Sequence, residues 1–123
     1  MRDLSTHAAP IRDLLDGQQP GYAMAQGFYT APEVFEADSA AVFGRDWQLA
    51  GHISEIPETG DYLLFDVLRC SVILVRDAQG GVSAHANVCR HRGSRLCLEP
   101  RGNVRRFTCP YHAWSFNLDG SLF

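Results

Sequence analysis

A chain of 123 residues fills one small domain with a modest core. Its apolar share of 46% and charged share of 20% belong to an ordinary globular protein and exclude a disordered or fibrous one. The net charge of −3 gives no support for binding nucleic acid or a membrane surface, and no run is long and apolar enough to span a bilayer.

The opening "MRDLSTHAAPIRDLLDG" mixes acids and bases and lacks the apolar core of an export signal, so we expect a cytoplasmic protein. In that compartment four cysteines read as metal or redox residues before they read as disulfides. All eleven basic residues are Arg, which base composition explains without any function. Residues 4–16 predict a short helix with Ile11, Leu14 and Leu15 on one side. "GQQPGYAMAQG" then reads as a loop broken by Gly and Pro.

A second helix is predicted over about 31–44. Thr30 and Glu33 have capping-box spacing and Pro32 falls in the first turn. Phe35, Val42 and Phe43 recur at helical spacing, and Gly44 is a stop. After Trp47 the period changes. "WQLAGHI", "DYLLFDVL", "SVILVRD" and "VSAHANV" are runs of strand formers, and Asp77 to Gly81 predicts a hairpin joining 72–76 to 82–86. "VRRFTC" and "AWSF" read as further strands, with "NLDG" as a turn. The division expected is therefore a helical arm over 1–46 and an antiparallel β domain over 47–123. The chain stops at Phe123, just after a turn glycine, where another strand is due; we expect a longer protein of which this is the front part.

Between residues 87 and 116 lie two mixed pairs, Cys89 with His91 and Cys109 with His112. His7, His52 and His85 lack such neighbours and are expected to be structural; Cys70 and Cys97 are expected to pack as small apolar groups. Zinc accepts two Cys and two His, but draws like ligands from each knuckle at wider spacing. A Rieske [2Fe-2S] centre fits the mixed pairs better, because one of its irons takes thiolates and the other imidazoles. Two adjacent irons require that each loop offer one ligand of each kind. Gly93 and Pro110 sit where such loops turn tightly, so that backbone N–H groups can face the sulfurs.

"CRHRG" and "CPYHAW" resemble the Rieske motif of the alpha subunits of Rieske non-haem iron oxygenases, the ring-hydroxylating dioxygenase type. The resemblance runs upstream through "FYTAPEVFEADSAAVFGRDWQLAGHISEIPETGDY" and "VILVRDAQGGVSAHANV". "LLDGQQPGYAMAQGFYT" and "RHRGSRLC" are most similar to the branch acting on quaternary ammonium compounds such as glycine betaine. It implies a mainly β fold, a Rieske-type antiparallel domain with two cluster-binding loops preceded by N-terminal helices. By the resemblance Cys89 and Cys109 would bind one iron, and His91 and His112 the other. It further implies an NAD(P)H-dependent reductase or ferredoxin as electron donor. A homotrimer would pass the electron to a mononuclear Fe(II) that hydroxylates or demethylates a small organic substrate. That iron is held in the family by two His and a carboxylate in a C-terminal domain; no such set is visible in this chain, which is therefore expected not to be catalytic alone. A stand-alone Rieske ferredoxin is the alternative.

Respiratory Rieske proteins carry a disulfide between their loops, but Ser94 and Tyr111 stand in those places here. Trp114 and Phe116 stand where that type has hydroxyl donors to sulfur, which implies a lower potential. Between the loops Arg90, Arg92, Arg95, Arg101, Arg105 and Arg106 face one acid, Glu99. They are either a solvated loop paired with acids elsewhere or a positive rim for docking.

Overall fold

The computed structural model describes residues 8–123, which divide into two compact units between Gln48 and Leu49. His7 and the predicted start of the first helix lie outside the described residues. No helix among the described residues is long and apolar enough to cross a membrane.

In the first unit α1 spans Ala8–Asp16. It ends where Gly17 bonds back to the Asp13 carbonyl at 3.1 Å, three residues before Pro20. A short helix, α2 (Gly27–Thr30), follows; a Cβ on Gly27 would meet the Leu14 side chain at 2.7 Å, so glycine permits that contact. Helix α3 (Pro32–Asp38) continues as a π turn over Ser39–Phe43, in place of the single α-helix expected over 31–44. The capping box does not form. Ala31, extended because it precedes proline, is the cap residue, and the Thr30 hydroxyl instead donates to the Gln26 carbonyl at 3.2 Å. The expected apolar face is also corrected: Val34 is buried, whereas Phe35, Val42 and Phe43 are exposed. The π turn shifts the helical phase after Asp38, so a strict 3.6 period does not carry through.

The second unit is a four-stranded antiparallel sheet beside a two-stranded one. The large sheet holds β1 (Asp61–Val67), β2 (Cys70–Arg76), β3 (Val82–Ala86) and β4 (Arg101–Asn103) in the order β3-β2-β1-β4. The small sheet pairs β5 (Phe107–Thr108) with β6 (Ser115–Phe116). The hairpin predicted at Asp77–Gly81 forms. Asp77 accepts from the N–H groups of Gln79 and Gly81 at 2.9 and 2.7 Å, and Val82 pairs with Arg76. The strand expected in "WQLAGHI" does not form. Its end instead caps a 3-10 turn, Ile53–Glu55, through reciprocal bonds between His52 and Ser54 and between Glu55 and His52.

Strand β4 was not foreseen, since "RGN" contains no strand former. It is held by pairing with Asp61–Leu63, by Asn103 donating to Asp61 at 2.8 Å, and by the Tyr62 ring lying over Gly102. The core gathers Tyr62, Ile73, Val75, Phe107 and Phe116 with Cys89, Cys97 and Cys109. His85 ties the sheets together: its Nε2 lies 2.8 Å from the Leu118 carbonyl and its ring meets Phe107 edge-on.

Candidate metal centre

Each mixed pair sits on a short loop, and the two loops share one backbone frame. In loop one the Cys89 N–H donates to the Ser94 carbonyl at 2.7 Å and the Gly93 N–H to the Cys89 carbonyl at 2.9 Å. In loop two the Cys109 N–H donates to the Trp114 carbonyl at 2.8 Å and the Ala113 N–H to the Cys109 carbonyl at 2.9 Å. The fifth residue of each frame turns through the left-handed region, with φ of 73° at Gly93 and 60° at Ala113. The tight turn foreseen at Gly93 is therefore present, and its counterpart is Ala113 rather than Pro110.

These frames bring like residues together from opposite loops. Cys89 and Cys109 are buried at 2% and 3% exposure in the same core cluster. The His91 and His112 rings are exposed and meet edge to face, 4.9 Å between centroids. The N–H groups of His112 and Tyr111 point at the Cys109 sulfur and hold its thiol below the ordinary value; the Cys89 thiol and the Ser94 hydroxyl act in the same direction. That environment favours thiolate, the form that binds metal.

The donor set suits a binuclear centre. A sulfur pair in the core and an imidazole pair at the surface could hold two metals with two like ligands each, which is the Rieske pattern. The remaining candidates lie apart from this. All four cysteines are free; Cys97 packs in the core as expected, but Cys70 is exposed, which corrects that expectation. His52 and His85 are engaged in the cap and the inter-sheet bond already described.

Three contributors were not foreseen. Asn87, 3% exposed, accepts from the N–H groups of Leu96 and Cys97 at 3.0 and 2.8 Å and donates to the Cys97 carbonyl at 2.8 Å and the Ser71 hydroxyl at 3.3 Å. It thereby fastens the far end of loop one to its near end. Its only sequence signal was an Asn inside a run of strand formers, where Asn is disfavoured. Ser94 was noted only as a missing cysteine, yet its hydroxyl, which donates to the Arg95 carbonyl at 3.3 Å, also helps to hold the Cys109 thiol below its ordinary value. Trp114 was noted only as a missing hydroxyl, yet its indole lies flat on His91, 4.9 Å between centroids and 6° between planes.

The arginines divide. Arg101 pairs with Glu55 at 3.4 Å, and the Arg106 guanidinium lies 3.5 Å from the Phe123 ring centroid. Arg90, Arg92, Arg95 and Arg105 are exposed and have no acidic partner among the described residues.

Comparison with known proteins agrees with this geometry. Residues 46–123 match the family model of the Rieske [2Fe-2S] domain. The chain is 41% identical over 110 residues to the glycine betaine monooxygenase oxygenase subunit of Pseudomonas aeruginosa, covering 89% of this chain and 26% of that protein. It is 39% identical over 112 residues to the biphenyl dioxygenase subunit alpha of Metapseudomonas furukawaii, covering 91% and 24%. Among solved structures it superposes on naphthalene 1,2-dioxygenase from Rhodococcus sp. with a TM-score of 0.84 and 34% identity, over 98% of this chain and 28% of that one. It superposes on the quaternary ammonium Rieske monooxygenase CntA, in complex with gamma-butyrobetaine, with a TM-score of 0.75 and 40% identity, over 79% and 28%. The chain thus spans about a quarter of the length of the curated relatives it matches. With the sulfur and imidazole pairs presented from twin loops and the match running through both, the chain belongs to the Rieske [2Fe-2S] domain family.

Proposed function

We propose that this chain is the Rieske electron-transfer portion of an oxygenase alpha subunit, with Cys89 and Cys109 on one iron of a [2Fe-2S] cluster and His91 and His112 on the other. The observation that carries the reading is the pairing of buried thiols and exposed imidazoles across two loops of one backbone frame. The cluster supplies one-electron transfer when bound. Around it the chain's own residues supply insulation on the sulfur side and access on the imidazole side. Arg90, Arg92 and Arg95, unpaired within the described residues, give the exposed side a positive rim suited to an acidic electron donor.

The oxygenase reading is favoured over a stand-alone ferredoxin because the matches of 110 and 112 residues extend beyond the Rieske domain into the helical unit. In this reading an NAD(P)H-dependent reductase or a ferredoxin reduces the cluster in the cytoplasm, where such reductants are made. The electron then passes to a mononuclear Fe(II) in a C-terminal domain of the longer subunit, across a homotrimer. One solved relative is described in terms of inter-subunit electron transfer, which supports that route. Hydroxylation or demethylation of a quaternary ammonium compound, as with the glycine betaine relatives, is the substrate class we favour over an aromatic ring.

Iron and acid-labile sulfide analysis of the purified chain, with paramagnetic resonance after reduction, tests the centre. His91→Ala and His112→Ala are each expected to abolish the Rieske-type signal; retention of that signal in both would refute the ligand assignment. The chain alone is expected to accept an electron without forming product from glycine betaine or biphenyl in air. Product formed with peroxide scavenged would place an oxygen-activating metal within these residues and refute the division of labour.

A further inference from the structure

The two imidazoles are held by different means. His112 lies against Tyr111 of its own loop, 3.8 Å between centroids and tilted by 32°. His91 has no hydrogen bond to its ring among the described residues, although a metal-binding imidazole ordinarily has its second nitrogen fixed by a carboxylate or a carbonyl. What covers the His91 ring is the Trp114 indole, within 6° of parallel and delivered from the opposite loop. Trp114 is itself anchored, because its carbonyl accepts the Cys109 N–H at 2.8 Å just after the left-handed turn at Ala113.

We propose that Trp114 is the positioning residue for His91: its indole fixes the plane of the imidazole that loop one presents, so that one loop aligns the other's ligand. This rests on the cluster assignment proposed above. An imidazole carried on a methylene would otherwise turn about its Cβ–Cγ bond through a range of planes, since a torsion ending in a planar ring has broad wells. A stacked neighbour removes that freedom while leaving the ring edge uncovered, which a hydrogen-bonding carboxylate would not. The indole also presents an electron-rich face, which opposes added negative charge next to it. Trp114 therefore acts on both the geometry and the poise of the imidazole-bound iron, whereas Tyr111 acts on the other imidazole.

The test uses the chain with its cluster bound and the histidines labelled with nitrogen-15. Pulsed paramagnetic resonance of the reduced state resolves the two imidazole couplings, and a redox titration reads the reduced-to-oxidised ratio at a fixed donor poise. Trp114→Leu is expected to shift and broaden one coupling while leaving the other unchanged. It should also raise the reduced-to-oxidised ratio by about twofold to tenfold, the latter about 59 mV for a one-electron couple. Trp114→Phe, which keeps a flat ring, is expected to restore the narrow coupling, and Tyr111→Leu to affect only the second imidazole. Should Trp114→Leu fail to retain the cluster, a loaded Trp114→Phe with both couplings intact supports the stacking role. Loss of the cluster from both variants overturns it, as do unchanged couplings in Trp114→Leu. A missing Rieske-type signal in the unaltered chain would instead overturn the cluster assignment itself.

Discussion

Replacing Asn87 by Ala is expected to loosen loop one more than any substitution of similar size elsewhere in the β unit. The side chain joins Ser71, Leu96 and Cys97 through four bonds of 2.8 to 3.3 Å, and it is 3% exposed. Truncation leaves the N–H and carbonyl of Cys97 and the N–H of Leu96 without partners, and Cys97 lies in the core. A buried polar group left unsatisfied costs about 1–3 kcal/mol. Leu96 is only half-buried, and water can reach part of the gap, so the sum falls at about 2–5 kcal/mol rather than at its ceiling. Against the roughly 5–15 kcal/mol of a typical domain that is a large share. Denaturant unfolding of the cluster-bound chain, followed by both far-ultraviolet dichroism and cluster absorbance, measures it. The two signals should move together to lower midpoint, because the same side chain holds both ends of the segment carrying Cys89 and His91. Ser71→Ala, which removes a single 3.3 Å bond, should cost no more than about 1 kcal/mol. An Asn87→Ala variant within about 0.5 kcal/mol of the unaltered chain would refute the reasoning, since that is the range of an unremarkable surface change.

With Trp114 and Phe116 in place of hydroxyl donors, voltammetry should find the potential near the low end of the Rieske range, about −150 mV; a value at the high positive end would contradict this. Ser94→Ala should lower it further, because the Ser94 hydroxyl favours negative charge on the Cys109 sulfur and with it the reduced state. At the left-handed turns the two loops should respond unequally. Gly93→Ala meets no atom within 4 Å and should cost about 1 kcal/mol from backbone strain alone. Ala113→Gly loses comparable strain but frees the unfolded chain, so thermal melting should move little. Burial raises the Cys97 thiol above its ordinary value of 9.0 and raises the neighbouring Tyr62 hydroxyl above 10.0. A group whose folded value is raised gives stability that is complete below its unfolded value and is lost as pH rises through the folded one. Melting temperature should therefore begin to fall near pH 9, and Cys97→Ala should flatten that fall; an unchanged slope would show that the thiol is not responsible.

Much of the β unit was legible because its strands carry their own signals. β1, β2 and β3 are runs of branched and aromatic residues, and Asp77 to Gly81 has the chemistry of a turn. β4 was not legible because "RGN" is a strand only by virtue of what lies beside it: β1 on one edge and the Tyr62 ring above Gly102. "WQLAGHI" misled in the opposite sense, having strand-forming residues but no strand to pair with, so that His52 turned the chain instead. Thr30 and Glu33 had the spacing of a cap, but Pro32 moved the helix start one residue beyond Thr30's reach. In the site, Cys and His announce themselves because few other side chains bind metal. Asn87, Ser94 and Trp114 are ordinary residues, and their part emerges only when the two loops are folded against one another.

The burial of one pair and the exposure of the other divide how freely the surroundings of the centre can change. Cys89 and Cys109 are packed among Tyr62, Ile73, Phe107 and Phe116, so a substitution near the sulfurs is also a substitution in the material that keeps the domain folded. Around His91 and His112 the loop surface carries exposed side chains, Arg90, Arg92 and Arg95 among them, that have no acidic partner among the described residues. One half of the centre is thus tied to the integrity of the scaffold, and the other is open to revision. On the function proposed above, a lineage can exchange one electron donor for another by rewriting those arginines, and leave untouched both the folded core and the rings of Trp114 and Tyr111 that lie on the imidazoles.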